Sequence, residues 1–276
     1  MTINCLGQLI DLSSPKVMGI LNVTPNSFYD GNRYNSENLI LKQVEKLLSE
    51  GATFIDLGAY SSKPNAELVS EEEEIARLIP VQKSVLKHFP GTILSIDTFR
   101  SNVAKICLDS GAAIINDISA GTLDENMFGV VAHFHAPYIM MHLRGAPQTM
   151  TTLTQYDDIV KELLYYFSEK IAKARSFGIS DLIIDPGFGF AKTLDQNYEV
   201  LQKLELFQNL DYPILVGISR KSMVYKVLES SADAALNGTT VLNTIALSHG
   251  ANILRVHDVK EAVESVKLFG KMAGRL

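Results

Sequence analysis

The chain has 276 residues, 46% of them hydrophobic, a formal net charge of -6 and two cysteines. An acidic chain without a long Lys/Arg block is a poor partner for nucleic acid or an anionic membrane, since both require a positive footprint. No secretory signal opens the chain, and His133, His135 and Pro137 interrupt the apolar stretch at 129–141. It falls short of the roughly 18 apolar residues of a membrane span. Cys5 and Cys107 lie far apart without metal-ligand spacing, so reduced thiols and a cytoplasmic location are expected.

After an N-terminal hairpin (INCLGQLIDL), apolar runs alternate with longer helical patterns. The runs are Val17–Leu21, Phe54–Leu57, Ile93–Ile96, Ala113–Ile115, Tyr138–Met141, Leu182–Ile184, Ile214–Val216 and Asn252–Val256. Between them, Glu37–Glu50, Glu71–Lys87 and Tyr156–Phe177 carry Leu, Ile, Ala, Lys and Glu at helical spacing. Ser70 followed by Glu73 predicts a capping box, so the acidic stretch 71–74 reads as a helix start. Alternation of strand and helix implies parallel pairing with right-handed crossovers. Eight units in about 250 residues predict a (β/α)8 TIM barrel over residues 1–276 as one domain. An open doubly wound sheet would carry a glycine-rich first turn, and G-x-G-x-x-G does not follow the first strand.

The residues at the end of each run carry the functional signal. Asn22, Asp56, Asp97, Asn116-Asp117, His142, Asp185, Ser219-Arg220-Lys221-Ser222 and Arg255-Val256-His257-Asp258 all stand at strand ends. In a barrel these positions share the rim where active sites form. Some are expected to be caps or turn formers, Asp30, Asp117 and Asp258 above all. Asp56, Asp97, Asn116 and Asp185, with Lys221 nearby, suit a flat heterocycle with amino and lactam edges, because carboxylates accept N–H bonds and an amide does both. An internal Asp–Lys pair closing the barrel is the plainer alternative. Asn22, Ser62, Lys63, Arg255 and His257 form an anion-binding set, and the R-V-H spacing places Arg255 and His257 on one side of an extended strand. Asn22 could ligate Mg2+ through its amide oxygen. In Asp185-Pro186-Gly187-Phe188-Gly189-Phe190 the glycines permit a tight turn, and Phe190 could pack against an aromatic substrate. Ser219–Ser222 reads as a strand-to-helix junction whose free N–H groups can hold a carboxylate. His133 and His135 lack a third ligand, which argues against zinc.

Together, MGILNVTPNSFYDG, SIDTFRSNVA, IINDISAG, IIDPGFGFAKT, VGISRKSM and LRVHDVKEA resemble the dihydropteroate synthases over nearly the whole chain. The resemblance implies a TIM barrel, commonly homodimeric through helices on one flank, that joins a dihydropterin diphosphate to p-aminobenzoate with Mg2+. It implies a pterin site at Asp97, Asn116, Asp185 and Lys221. It also implies a diphosphate site at Asn22, Ser62, Lys63, Arg255 and His257, and a p-aminobenzoate site at Phe28, Ser62, Pro64, Phe190 and Ser222. Catalysis then falls to Asp97, Lys221, Arg255, His257 and Lys63, through leaving-group stabilisation and positioning. The second loop departs from the family's E-S-T-R-P-G: here Tyr60-Ser61-Ser62-Lys63-Pro64-Asn65 keeps a hydroxyl and a charge but loses a bidentate fork and a glycine. In the first loop, Asn26 stands where the family commonly has Asp. A methyltetrahydrofolate-dependent methyltransferase would share the Asp/Asn pocket but has no use for SRKS with R-V-H. A non-catalytic pterin-binding homologue would fit the altered second loop, while a phosphate-sugar barrel enzyme would leave the Asp/Asn positions unexplained.

Overall fold

The hairpin forms where expected. Strands β1 (Thr2–Cys5) and β2 (Gln8–Asp11) pair antiparallel, joined by Leu6 and Gly7 at φ of 53° and 89°. Two left-handed residues give the turn a twist that matches the strands, and Gly7 N donates to Asn4 Oδ1 at 2.7 Å. The computed structural model describes residues 1–23, 33–60, 69–272 and 274, with 33–36 as backbone alone.

The apolar runs become β3 (Lys16–Asn22), β4 (Phe54–Gly58), β5 (Ile93–Asp97), β6 (Ile114–Asp117), β7 (Tyr138–Met141), β8 (Leu182–Asp185), β9 (Leu215–Val216) and β10 (Ile253–Val256). They form an eight-stranded parallel sheet in the order β8-β7-β6-β5-β4-β3-β10-β9. A single bridge between Ile184 and Ile214 brings its two edges together, giving a nearly closed barrel. Between the strands run α1 (Arg33–Ser49), α2 (Glu71–His88), α3 (Ser101–Asp109), α4 (Met127–Phe134), α5 (Ile159–Ser176), α6 (Leu194–Gln202), α7 (Ser222–Tyr225), α8 (Leu236–Ser248) and α9 (Val259–Met272).

Local signals explain most boundaries and correct some. Ser70 caps α2 by accepting from Glu73 N at 3.2 Å. The Glu73 carboxylate does not return to Ser70 to complete the box; it pairs with Arg77, one turn on. A complete capping box occurs instead at α6, where Thr193 and Gln196 each satisfy the other's backbone N–H. The helix expected from Tyr156 begins at Ile159, because Asp158 takes the cap position and accepts from Lys161 N at 3.0 Å. α2 runs through Pro80 with Leu78, Val81 and Val85 buried, so packing of that face outweighs the hydrogen bond a proline forgoes.

Strand alternation divides the barrel into layers. Met18, Phe54, Ile93, Ile114, Ile139, Ile183, Leu215 and Ile253 pack with Ile3, Cys5, Ile10 and Leu12 of the hairpin segment, so the hairpin plugs the bottom of an apolar interior. Two residues further along four of these strands stand Asp56, Ser95, Asn116 and Asp185, all buried, and on β10 Arg255. Side chains two apart share a face, so the interior turns from apolar to polar as it rises towards the strand C-termini. Outward-facing residues such as Ile55, Leu57, Leu94 and Ile96 pack in the layer between sheet and helices.

Candidate active site

The centre of the polar layer is Arg255. Its Nε donates to Asp56 Oδ2 at 2.6 Å and its Nη2 to Asp97 Oδ2 at 2.7 Å. Asn116 Nδ2 donates to the same Asp56 oxygen at 3.0 Å. Strands β4, β5, β6 and β10 thus contribute one group each to a closed network. Burial pushes the Asp97 carboxyl upward, while Arg255 pulls it down and Asp56 pushes it up again. The flanking carboxylates outweigh burial at Arg255 and hold its guanidinium charged. Asp56 Oδ1, Asp97 Oδ1 and Ser95 Oγ are buried without a hydrogen-bond partner among the described residues. Such oxygens are costly unless a ligand's donors reach them.

Across the mouth, Asp185 Oδ1 accepts from Gly187 N at 2.8 Å. Burial raises its affinity for a proton, opposed first by Lys221 and then by that N–H. Gly187 has φ of +70°, and a Cβ there would lie 2.3 Å from the His142 carbonyl oxygen, so the turn accepts only glycine. Lys221 Nζ donates to Phe188 O at 2.5 Å and sits 4.7 Å from the centre of the Phe190 ring. Burial lowers its pKa to about 8, against the pull of Asp185.

On the rim, Ser219 Oγ lies 3.1 Å from His257 Nδ1 and accepts from His257 N at 3.1 Å. Arg220, left-handed at φ 55°, grips Asp258 with Nε at 3.0 Å and Nη2 at 2.7 Å. These pairs tie the loop after β9 to the loop after β10. Ser222 opens α7 directly beside Lys221. Asn22 is exposed at the end of β3; its Oδ1 and Asp97 Oδ2 flank Gly58, 3.6 and 3.7 Å from where a Cβ would stand.

Asp97, Asn116, Asp185, Lys221 and Arg255 therefore meet in or around one mouth, with Asn22, Phe190, Ser222 and His257 on its rim. Arg255 turns two of its N–H groups, on Nε and Nη2, inward onto Asp56 and Asp97, so only the rest of its guanidinium fork faces an anion shared with His257. Asp56, read with the heterocycle group, is a counter-ion of that arginine. Asp117 is the expected turn former, accepting from Ser119 N, Ser119 Oγ, Gly121 N and Tyr138 OH, and Asp258 is a clamp for Arg220. Phe28, Ser62, Lys63 and Pro64 lie outside the described residues, as do Asn26, Asp30 and Asn65. Tyr60, at the root of the second loop, packs edge-on to Phe99 with its hydroxyl buried. Lys192 and His142 emerge as neighbours behind the loop after β8. His142 was one of the strand-end residues, whereas the only sign of Lys192 was its place just beyond DPGFGFA.

A model of the family described as pterin binding enzyme matches residues 18–257. The dihydropteroate synthase of Escherichia coli (strain K12) is 42% identical over 264 residues, covering 95% of this chain and 93% of that protein. The crystal structure of Yersinia pestis dihydropteroate synthase in a sulfonamide drug complex superposes with a TM-score of 0.92 at 38% identity, covering 99% of this chain and 100% of that one. Xanthomonas albilineans dihydropteroate synthase with 4-aminobenzoic acid gives a TM-score of 0.91 at 33% identity, over 99% and 98% of the two chains. With the barrel, its polar mouth and these likenesses in agreement, the chain belongs to the dihydropteroate synthases, transferases within the pterin binding enzymes.

Proposed function

We propose that this single barrel domain condenses 6-hydroxymethyl-7,8-dihydropterin diphosphate with p-aminobenzoate, giving 7,8-dihydropteroate and pyrophosphate. The observation that carries the reading is the ring of buried acceptors beneath two cations. Asp97 and Asp56 each present an unpartnered oxygen, Asn116 and Asp185 stand beside them, and Arg255 and Lys221 supply the charge. A pterin's amino and ring N–H groups supply the donors such oxygens require, and its lactam oxygen suits an ammonium donor.

In this reading Asp97, Asn116, Asp185 and Lys221 hold the pterin, which places its exocyclic methylene at the rim. The carbon–oxygen bond to diphosphate breaks, pyrophosphate carries away the bonding pair, and the arylamine nitrogen attacks the methylene and loses a proton. Asp97, close to the electron-rich ring, stabilises the cation between these events. Asn22, Ser62, Lys63, Arg255 and His257 receive the leaving diphosphate. Phe190, Ser222, Phe28 and Pro64, with Ser62, position the arylamine. Catalysis rests on charge complementarity and alignment, with no strong base required.

The donor set suits Mg2+ that arrives with its phosphate. Among the described residues no group of three His, Cys, Asp or Glu side chains could form a metal cage, while Asn22 offers one exposed hard oxygen at the rim. Mg2+ characteristically keeps waters and phosphate oxygens around few protein ligands. When bound, it supplies neutralisation of the leaving diphosphate.

No described helix is long and apolar enough to cross a membrane, and both cysteines are free and buried, which supports a cytoplasmic setting. We also place a homodimer contact on the flank formed by Leu228, Val241 and Ile245, which are 53%, 50% and 37% exposed. Gly238 of α8 packs close to Leu228, and Val241 and Ile245 follow on the same helix face. Sedimentation equilibrium should return twice the chain mass.

The test of function mixes purified protein with the pterin diphosphate, p-aminobenzoate and Mg2+ and follows both products. Equal release of pyrophosphate and dihydropteroate supports the synthase. Folded protein that binds the pterin and yields neither product would overturn it.

A further inference from the structure

The loop after β8, residues 186–191, carries two groups of the proposed site at its ends: Asp185 at its root and Phe190 near its exit. Its backbone is unusual. Gly187, Gly189 and Ala191 all have positive φ, at 70°, 81° and 47°, and a run of such turns leaves carbonyl oxygens that no strand or helix can satisfy. The acceptors are divided between two lysines. Lys221 Nζ donates to Phe188 O. Lys192 Nζ, half-buried on the other side, donates to Gly187 O at 3.0 Å and to Phe190 O at 3.1 Å.

The third ammonium proton of Lys192 has its own acceptor, His142 Nδ1 at 3.1 Å. When Lys192 is an ammonium, with three donors and no acceptor, His142 accepts through Nδ1 and carries its proton on Nε2; burial lowers that lysine to about 7. Burial, reinforced by Lys192 and Arg144, pushes His142 well below its ordinary pKa and favours that neutral ring. The lysine thus joins the end of β7 to both ends of the loop. Two further contacts fasten the same segment: Gly189 N donates to Asn197 Oδ1 at 2.6 Å and Tyr156 OH to Ala191 O at 2.9 Å. The capping box of α6 begins at the next residue, Thr193, and fixes the backbone exit of Lys192.

We infer that Lys192 is a positioning residue for the arylamine half of the reaction, holding the loop so that the Phe190 ring stands against Lys221 at the mouth. It acts through the backbone of the loop, with its donors turned onto Gly187 O, Phe190 O and His142. Asp185 also feels the charge of Lys192, but Lys221, the Gly187 N–H and Arg255 each act on it more strongly, so the pterin half depends on Lys192 less. Gly187 O also accepts from Phe190 N at 3.1 Å, but nothing in the composition of the loop supplies another donor for Phe190 O, and a thioether in place of the ammonium leaves that carbonyl without one. The inference rests on the synthase reading above.

The test is steady-state kinetics of Lys192→Met beside the wild type, with calorimetry for the pterin diphosphate. The KM for p-aminobenzoate should rise about tenfold to a hundredfold, the scale of a lost charged hydrogen-bond donor, while the pterin Kd moves less than about threefold. Lys192→Cys should show the same defect, and aminoethylation of its thiol, which rebuilds a lysine isostere, should restore the KM; Cys5 and Cys107 are buried and spared. A folded Lys192→Met protein with unchanged KM, or stoichiometric aminoethylation that restores nothing, overturns the inference. Should Lys192→Met not fold, His142→Phe carries the test: it removes one acceptor and leaves the lysine, and an unchanged KM again overturns it. A wild type that makes no dihydropteroate defeats the synthase reading itself, which separates the two failures.

Discussion

Arg255 and Asp97 stand on opposite sides of the β3–β4 pair, 158 residues apart in sequence, and meet inside the barrel at 2.7 Å. With Asp56 at 2.6 Å on the other edge of the guanidinium, two buried carboxylates share one cation. Arg255→Gln should therefore do two things. Removing one member of a buried ion pair leaves an uncompensated charge and costs about 3–5 kcal/mol, read as a lower urea midpoint. Turnover should fall steeply as well, because Asp97, already pushed upward by burial and held down by Arg255, then takes up a proton more readily and is a weaker acceptor for the pterin. A variant with wild-type stability and rate would contradict both parts.

Asp185→Ala should abolish measurable pterin binding. Asp185 is buried beneath the mouth, and no other described carboxylate lies at the root of that loop. Losing a buried charged acceptor should weaken affinity by about a hundredfold or more, counting the stranded donors on the ligand. Near-normal affinity by calorimetry would remove Asp185 from the pterin site.

Lys63→Ala tests the second loop. It should raise the KM for p-aminobenzoate or lower kcat while leaving pterin affinity almost unchanged, since the proposed pterin contacts lie on other strands. Identical steady-state constants would take Lys63 out of the site.

Lys221, lowered to about 8 by burial, predicts an alkaline limb. As pH rises through about 8 the ammonium loses a proton and its donor to the pterin weakens, so kcat/KM for the pterin substrate should fall. Lys221→Arg should be slower but lack that limb. Stability moves the other way. Between about 8 and the ordinary lysine value of 10.5 the folded chain binds fewer protons here than the unfolded chain, so this lysine contributes a stability that increases with pH. Lys192, lowered to about 7, has the same sign from a lower pH. Melting temperatures of Lys221→Met should show a shallower rise across that window than the wild type.

Tyr138→Phe separates structure from chemistry. Tyr138 OH donates to Asp117 Oδ2 at 2.6 Å, and Asp117 faces its own turn through Ser119 and Gly121. The variant should lose about 1–3 kcal/mol of stability, the cost of a buried acceptor short of one donor, with kcat unchanged. A loss of turnover at equal stability would bring Asp117 into the reaction.

Much of the barrel could be read from the chain because its strands are short, apolar and separated by helical spacing. The expected ends fell short at β3, β4, β5, β6 and β8, where Asn22, Gly58, Asp97, Asn116-Asp117 and Asp185 continue the ladder. A polar residue ends an apolar run in sequence but not a hydrogen-bonded strand in space. Rim membership was equally accessible, since it depends only on position after each run. Pairing across the barrel was not. Arg255 finds Asp56 at a separation of 199 residues, and no local pattern announces that a guanidinium is held by a carboxylate from across the barrel. Lys192 escaped notice for a related reason: its partners are two backbone carbonyls and a ring nitrogen, none with a side-chain signature. The glycines of DPGFGF, by contrast, marked a tight turn correctly, because the steric demand at Gly187 is local.

The ring closes only once β10 has been made. β3 takes β10 as its neighbour, Asn252 Nδ2 donates to Leu12 O across 240 residues, and the opposite seam rests on the bridge between Ile184 and Ile214. A ribosome-bound chain can build a growing sheet outward from β3 through β8, but one edge of β3 has no strand to pair with until β10 emerges. Long-range closure of this kind is slow and exposes an unpaired edge meanwhile. Deletion of the last strand and helix should therefore leave an adhesive open sheet prone to aggregation, in place of a smaller stable barrel.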